Sequence, residues 1–261
     1  MTSKARSFQL LLQQEVHEKE PSEELAEGLA DKKSIREGYD TYVSRFFDLM
    51  TLFFLGPSIM NSHRALLKLL HPQRQSTILD VGCGTGTLLR TIALERHGDY
   101  LVGLDLSRGM LTNAKMKMAG AGVQNRVDLV LADAEMLPFR RSSFCEVTCT
   151  GVLRFLPNPT AAFRENHRVL RVGGRFAMRE MAGLATAIRV RHPPVPFKKG
   201  FVVWRLWPKR LIERMFDGAG FADVEIFGKP TIPHFVYALT PPFRQYVFAV
   251  AAKTGPIDAS E

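Results

Sequence analysis

The stretch ILDVGCGTGTLL, residues 78–89, decides the fold of this chain. It begins as an apolar run and then places Gly82, Gly84 and Gly86 within five residues. Ordering a glycine costs conformational entropy, so a turn this rich in glycine indicates a backbone that bends sharply or lies very close to another group. Because an apolar run precedes the turn and a helical pattern follows it, the stretch predicts a strand, a tight turn and a helix.

Strand and helix patterns alternate outward from this turn. Strands are predicted at 77–81, 100–105, 126–133, 145–150, 175–182, 222–228 and 243–252, and helices at 86–97, 107–120, 160–169 and 207–221. This order, which ends in two consecutive strands, predicts a doubly wound α/β fold around a mostly parallel, seven-stranded sheet.

The segments outside this alternation define the predicted domain organisation. Residues 1–34 form an N-terminal helical extension, and residues 35–261 form the main domain. Within that domain, residues 35–72 are predicted to be a helical cap, broken at a Gly-Pro pair. Residues 183–207 interrupt the α/β pattern and are predicted to be an insertion or lid.

Composition narrows the class of protein. An apolar fraction of 46% over 261 residues is that of an ordinary globular chain. The three cysteines show no metal-ligand spacing and cannot form a disulfide framework, so we expect a reduced cytoplasmic protein without a bound metal. No apolar run reaches the roughly 20 residues that span a bilayer.

The positive charge of the chain is concentrated in one segment. The net charge is +9, and residues 164–214 hold thirteen Lys and Arg against three Glu, a local charge of +10. This concentration favours a face that meets an anionic partner, either phospholipid headgroups, an acidic small molecule or nucleic acid. The alternative is a solvated surface with arginines at helix ends.

Two carboxylates accompany the glycine turn. Asp105 ends the second predicted strand, 19 residues after Gly86, where a carboxylate can accept both hydroxyls of a ribose. Asp80 lies two residues before the first glycine, and the turn lacks the third glycine position of a diphosphate-binding loop. A carboxylate so close to the turn suits an amine-bearing ligand better than a diphosphate.

Three ordered motifs then point to a family. ILDVGCGTG, GLDLSRGML (103–111) and LADAEMLPF (131–139) resemble the class I S-adenosylmethionine-dependent methyltransferases. The run YDTYVSRFFD (39–48) resembles the ubiquinone/menaquinone-biosynthesis type, a methyltransferase domain 11-like subgroup. The resemblance implies a Rossmann-like sheet, S-adenosylmethionine as cofactor and S-adenosylhomocysteine as product.

The resemblance also implies a set of cofactor-binding residues, grouped by the part of the cofactor that they contact. These are Asp80, Gly82, Cys83 and Gly84 at the methionine end, Asp105 at the ribose, Leu106, Met110, Asp133 and Ala134 at the adenine, and Thr150, Leu153 and Tyr42 around the methionine moiety. Asp133 would accept a hydrogen bond from the adenine amino group.

Methyl transfer from a sulfonium needs a base only where the acceptor must lose a proton. Candidate bases are His63, His167, His192, His234, Tyr39 and Tyr42. His234, between the last two predicted strands, is the first choice as catalytic residue, and Tyr39 is the second. The family often has a His-His pair after its fourth strand, where this chain has Arg154-Phe155.

The absence of certain motifs from the sequence limits the range of possible methyl acceptors. No Asp/Asn-Pro-Pro-aromatic run or Pro-Cys nucleophile follows the fourth strand, which disfavours nucleic acid. Two features favour a largely apolar small molecule as the acceptor, such as a lipid, quinone-like or natural-product acceptor. One is the dense group of apolar residues at 46–55, and the other is the position of Trp204 and Trp207 among basic residues. Alternatives are a phospholipid N-methyltransferase at an anionic membrane, an RNA methyltransferase, and a catalytically silent cofactor-binding protein. Residues 1–34 are a candidate dimerisation arm.

Overall fold

The structure is a computed structural model, and it describes residues 32–33, 35–40, 48, 61–70, 75–182, 186–191, 201–229 and 245–255. Most of the predicted extension and cap, and the middle of the predicted insertion, lie outside these residues. The division of the chain into these segments therefore stays a prediction.

One seven-stranded sheet organises the described residues. Its strands are β1 (Thr77–Val81), β2 (Tyr100–Asp105), β3 (Val127–Leu131), β4 (Phe144–Thr150), β5 (Leu170–Ala182), β8 (Ala222–Lys229) and β9 (Gln245–Ala252). Their order is β3-β2-β1-β4-β5-β9-β8, in which β9 pairs antiparallel with both β5 and β8 and the other pairs are parallel. The order reverses beside β1, so the predicted doubly wound fold is confirmed.

Helices cover both faces of this sheet. They are α1 (described over 61–67), α2 (Thr87–Glu95), α3 (Arg108–Gly120), α4 (Pro159–Val169) and α5 (Lys209–Gly218). The Ser107 side chain accepts a hydrogen bond from the Met110 N–H at 3.1 Å, and so caps the N-terminus of α3. Asn158 caps α4 in the same way, through the Ala161 N–H at 3.1 Å.

The fifth strand begins earlier than its sequence predicts. The sequence predicts a strand that begins at 175, directly after the pair Gly173-Gly174, but β5 already begins at Leu170. Gly173 donates its N–H to the Lys253 carbonyl at 2.8 Å, and the Lys253 N–H donates to Gly174 at 3.0 Å. A Cβ at Gly174 would lie 2.6 Å from the Cys145 carbonyl oxygen, so close approach to β4 explains the glycine.

Part of the predicted insertion forms a hairpin-like pair of strands. β6 (Thr186–Arg191) and β7 (Phe201–Leu206) pair antiparallel and form a second sheet that shares no strand with the first. Among the described residues no helix is both long and apolar enough to cross a membrane.

Two buried clusters fix the sheet between its helices. On one face, residues such as Leu79, Val147 and Met178 pack with Phe163 and Phe216 of α4 and α5. On the other face, Ile78 and Ala177 pack with α1 and α2. Because β1 to β5 run parallel, their carboxyl ends meet at one edge, and the residues that follow them form the candidate site.

Candidate functional site

The glycine turn leaves open space at the end of β1. Gly84 has a φ of +55°, and a Cβ placed on it would meet no atom of the described residues within 4 Å. A Cβ on Gly82, by contrast, would lie 2.2 Å from Cγ2 of Val152. The turn is therefore packed against the segment after β4 at Gly82 and open at Gly84, where a ligand can contact the backbone.

Asp105 lies against this turn. Its Oδ2 accepts the Gly84 N–H at 2.8 Å, and its Oδ1 accepts the Ser107 N–H at 2.9 Å. Burial raises the pKa of Asp105, the backbone N–H groups lower it, and Asp40 raises it further. The carboxylate is held in one orientation beside the open side of the turn, as a ribose-binding residue requires.

Asp80 is a buried carboxylate with one unused oxygen. It is 1% exposed, and its Oδ1 accepts the Thr148 hydroxyl at 2.8 Å. Its Oδ2 has no hydrogen-bond partner among the described residues. Burial raises the pKa of Asp80 to about 7, which the Thr148 hydrogen bond opposes and Asp105 reinforces. A buried, unsatisfied carboxylate of this kind is suited to a cationic partner.

Two N-terminal residues that the structure describes contact the glycine turn and α3 directly. Oδ1 of Asp40 accepts the Ser107 hydroxyl at 2.6 Å and the Gly109 N–H at 2.9 Å, at the start of α3. Oδ1 of Asp48 accepts the Thr85 hydroxyl at 2.6 Å. These contacts fasten the chain before β1 onto the glycine turn and the neighbouring helix.

Lys32 contacts the loop after β3. Its Nζ lies 2.6 Å from Oδ2 of Asp133 and 2.5 Å from Oε2 of Glu135. Burial on its own would lower the Lys32 pKa, but the bonds to these two carboxylates outweigh it and raise the pKa. Oδ1 of Asp133 accepts the Glu135 N–H at 2.9 Å. The predicted adenine-binding carboxylate is thus already bonded to protein groups on both oxygens.

A cavity of about 470 Å³ lies beside this loop. Its lining residues come from the N-terminal segment, the start of α3 and the end of β3, namely Arg36, Glu37, Asp40, Arg108 and Leu131. The cavity therefore lies between the N-terminal segment, the start of α3 and the end of β3.

A second group of side chains lies beyond β4 and β5. Nη2 of Arg154 is 2.8 Å from Oε1 of the buried Glu180, and the guanidinium lies 5.7 Å from the centre of the Phe155 ring. The Tyr39 ring packs edge-on against Phe155, with centroids 5.5 Å apart. Burial raises the pKa of Tyr39, Arg154 lowers it, and Asp105 and Glu180 raise it. The Tyr39 phenol therefore stays protonated at neutral pH and is a hydrogen-bond donor rather than a base.

The structure places the other sequence-predicted residues as follows. Leu106 and Thr150 are half-buried, immediately after β2 and at the end of β4. Four of the predicted residues are buried: Cys83 in the glycine turn, Met110 in α3, Ala134 in the loop after β3 and Leu153 in the loop after β4. Tyr42, His192 and His234 lie outside the described residues, so their roles stay predictions.

Two histidines proposed as bases are described. His63 is buried in α1, and its pKa is lowered to about 3 by burial, by Arg179 and by Lys117. His167 packs against the Phe221 ring, with centroids 5.0 Å apart, near the end of α4. Because the end of α4 leads into the start of β5, His167 lies away from the carboxyl edge and is a packing residue.

Several site residues escaped the sequence analysis. Lys32 lies far in sequence from Asp133 and Glu135, and no local pattern indicates this contact. Asp40 lies within the run YDTYVSRFFD, but that run does not indicate its contact with α3. Glu135 and Glu180 do lie next to motif residues, in LADAEMLPF and in the fifth strand. The one signal that could have identified such a residue is a single carboxylate in a strand of apolar and basic residues, as at Glu180.

Three arginines of the basic segment bond groups inside the protein. Arg168 bonds Glu165 and the carbonyls of Leu137 and Phe139, and Arg175 bonds the Leu69 carbonyl at 3.2 Å. Arg179 is 8% exposed. The expected face for an anionic partner therefore does not include these three arginines.

Comparison with known proteins supports the family expected from the motifs. Residues 79–178 match a family model described as a methyltransferase domain, which confirms the predicted resemblance. Over 131 residues the chain is 37% identical to a demethylmenaquinone methyltransferase of Clavibacter sepedonicus, covering 50% of this chain and 48% of that one.

A plant relative and a solved structure extend this finding. Over 154 residues the chain is 34% identical to 2-methyl-6-phytyl-1,4-hydroquinone methyltransferase 1, chloroplastic, of Oryza sativa subsp. japonica, covering 57% of this chain and 42% of the relative. The chain thus spans about half the length of these curated relatives. The crystal structure of geranyl diphosphate C-methyltransferase from Streptomyces coelicolor A3(2), in complex with Mg²⁺, geranyl diphosphate and S-adenosyl-L-homocysteine, superposes with a TM-score of 0.66 at 14% identity, over 86% of this chain and 98% of that one. This likeness confirms the fold.

Proposed function

We propose that this protein is a methyltransferase that moves a methyl group from S-adenosylmethionine to a largely apolar small molecule. One observation carries the proposal. Asp105 is held by the Gly84 N–H at 2.8 Å, beside a position where a Cβ would meet no atom within 4 Å. A fixed carboxylate beside an open glycine turn, at the carboxyl edge of a doubly wound sheet, is the arrangement that binds a nucleoside.

The residues of the site suit the cofactor along its length. Asp105 accepts the ribose hydroxyls, and Oδ2 of Asp80 accepts the ammonium of the methionine end. Leu106 and Met110 pack against the adenine, which also meets the Ala134 N–H. Asp133 shares its oxygens between Lys32 and the adenine amino group, because a carboxylate offers about four acceptor positions.

The remaining predicted residues surround the methionine moiety: Gly82, Cys83, Gly84, Thr150, Leu153 and Tyr42. When bound, S-adenosylmethionine supplies an activated methyl group on a sulfonium sulfur. The protein's part is to hold the acceptor in line with that methyl group and to exclude water. Tyr39 and Phe155 contribute aromatic walls, and the Tyr39 phenol is a donor that orients a polar group of the acceptor. His234 remains the proposed base where the acceptor must lose a proton.

The apolar acceptor is supported by the relatives. The names of the two relatives describe a menaquinone precursor and a phytyl hydroquinone, and the crystal structure contains geranyl diphosphate. Each of these compounds is either a ring that carries an isoprenoid chain or an isoprenoid itself. We infer an acceptor of this class, a quinone-like or isoprenoid lipid, for this chain.

A radiolabel experiment tests the function. The protein is incubated with methyl-labelled S-adenosylmethionine and, separately, a hydroquinone with an isoprenoid tail, vesicles of anionic phospholipid with phosphatidylethanolamine, or total RNA. We expect label in the hydroquinone and none with the Asp105→Ala variant. Label in the vesicle lipid would instead support the phospholipid N-methyltransferase at an anionic membrane, and label in RNA a nucleic-acid enzyme. Cofactor binding without transfer to any acceptor would support a silent binding protein.

A further inference from the structure

Lys117 of α3 is bonded to the glycine turn and to the start of α2. Its Nζ donates to the hydroxyls of Thr85 and Thr87 at 2.9 and 2.8 Å, and to Oδ1 of Asp48 at 2.9 Å. An ammonium has three hydrogens, and these three bonds use all of them. Thr85 directly follows Gly84 in the turn, and Thr87 is the first residue of α2. A positive charge is therefore held against the turn by the geometry of three hydrogen bonds.

This position is unfavourable for a cation unless a carboxylate accompanies it. The N-terminus of a helix carries a partial positive charge, so α2 repels the ammonium. Burial lowers the pKa of Lys117, the hydrogen bond and the charge of Asp48 oppose that change, and Arg90 of α2 adds to it. Asp48 also accepts the Thr85 hydroxyl at 2.6 Å. A carboxylate of the N-terminal segment thus compensates the positive charge beside the turn.

The charge of Lys117 acts beyond its own hydrogen bonds. The pKa of His63 in α1 is lowered to about 3 by burial, by Arg179 and by Lys117. A ligand on the open side of Gly84 would lie one residue from Thr85, to which the ammonium is bonded. Charges in a partly buried site are screened less than charges in water. The balance between Lys117 and Asp48 therefore affects how a charged ligand binds at the turn.

We propose that Asp48, by neutralising Lys117, makes the site favour the cationic cofactor over its neutral product. This inference rests on the proposed function. S-adenosylmethionine has a positive sulfonium, whereas S-adenosylhomocysteine, which remains after the methyl group has been transferred, has a neutral thioether sulfur. An uncompensated ammonium at the turn would repel the sulfonium and leave the thioether nearly unaffected. Asp48 thus affects specificity through Lys117, which a purely structural residue would not do.

Calorimetric titration of both ligands into Asp48→Asn tests the inference. Asparagine keeps an oxygen that can accept the Thr85 hydroxyl, but it removes the negative charge. We expect the affinity for S-adenosylmethionine to fall at least about threefold more than the affinity for S-adenosylhomocysteine. Urea unfolding of each variant shows that the titrated protein is folded.

Removing the cation instead should have the opposite effect. Lys117→Gln leaves Asp48 without its ammonium, so the ratio of the two affinities should shift toward S-adenosylmethionine. In the double variant Asp48→Asn/Lys117→Gln neither charge is present, and the ratio should return to within about twofold of the wild type. This restoration separates a charge effect from a loss of structure, because two structural defects would not cancel.

Glu95→Gln is the matched control. Glu95 ends α2, about 12 Å from Thr87 at the rise of a helix, and its Oε1 lies 3.4 Å from Nε of Arg64. Its side chain is 43% exposed, close to the 47% of Asp48. Removing this carboxylate uncovers a cation at the far end of the same helix, so the ratio of the two affinities should stay that of the wild type.

Three results would overturn the role of Asp48 and leave the proposed function intact. They are equal weakening of both ligands in Asp48→Asn, a ratio that the double variant does not restore, and a ratio altered as strongly in Glu95→Gln. A folded wild type that binds neither ligand would overturn the proposed function as well.

Discussion

Asp80 illustrates how one buried residue makes ligand binding depend on pH. Its pKa is raised to about 7 because burial disfavours the charged form. In the ligand-free protein the raised pKa favours the protonated form of Asp80. The stability that Asp80 contributes to the folded state is therefore fully present below about pH 4 and is lost as the pH rises through 7. An ammonium on Oδ2 has the opposite preference, since it requires the ionised form.

We therefore expect S-adenosylhomocysteine to bind more tightly as the pH rises. The ionised fraction of a group with a pKa of about 7 falls about tenfold between pH 8 and pH 6, and the affinity should fall by a similar factor. Calorimetry at pH 6, 7 and 8 measures this. Asp80→Asn should bind weakly and nearly independently of pH, and an unchanged pH dependence in that variant would assign the effect to another group.

Gly103 is a second residue whose environment gives a sharp expectation. It lies in the middle of β2, and a Cβ there would meet Cδ1 of Leu89 at 2.5 Å and Sγ of Cys83 at 2.9 Å. Gly103→Ala should lower the free energy of unfolding by about 1–3 kcal/mol, because overpacking forces α2 or the glycine turn to move. Urea unfolding measures the change.

Gly120→Ala is the control for this substitution. Gly120 ends α3, and a Cβ there would meet nothing within 4 Å. Stability should stay constant or rise by up to about 1 kcal/mol, as helix propensity favours alanine. If both variants had the same stability as the wild type, the close packing of β2 against the turn would be contradicted.

At the scale of elements, the N-terminal segment is attached to the sheet by polar contacts at three places. Asp40 contacts the start of α3, Asp48 contacts Thr85, and Lys32 lies between Asp133 and Glu135. The Lys32 contact also reaches α4, because Oε1 of Glu135 accepts the Asn158 N–H at 2.7 Å. The segment is therefore fastened to the loops that form the site.

Removing the Lys32 ammonium should weaken this attachment. Lys32→Met leaves two largely buried carboxylates side by side without their cation, and we expect the free energy of unfolding to fall by about 1–3 kcal/mol. Lys33→Met, at the exposed neighbouring position, should change it by less than about 0.5 kcal/mol. Urea unfolding of both variants tests the ion pair, and equal stability of the two would show that it contributes nothing.

At the scale of the whole molecule, the sheet and the position of Asp105 beside the glycine turn could be predicted because their signals are local. Alternating strand and helix patterns gave the doubly wound order, and Asp105 follows its strand directly. The predicted start of β5 was wrong because glycine is favoured both in a turn and where two strands approach closely, as at Gly174. The Arg179–Ser62 contact and the Lys32–Asp133 contact join residues about 100 or more positions apart, and no sequence pattern encodes such pairing.

The charge of the chain shows the same limit. A local +10 in the sequence suggested one basic face, yet Arg168, Arg175 and Arg179 bond groups inside the protein. Composition counts charges but does not say which of them are buried. Arg164, Arg171 and Lys209 of the same segment are exposed, so the face for an anionic partner stays a prediction.

Calorimetric titration with S-adenosylhomocysteine tests the central claim most directly. The claim is that Asp105 and the glycine turn bind a methionine-bearing nucleoside at the carboxyl edge of the sheet. The wild type and two carboxylate variants are compared: Asp105→Ala at the site, and Asp128→Ala on the adjacent strand β3, where the carboxylate is bonded by Tyr100.

We expect micromolar binding by the wild type and by Asp128→Ala, and a loss of at least tenfold, about 1.4 kcal/mol, in Asp105→Ala. No binding by the folded wild type, or equal weakening in both variants, would contradict the assignment of this site.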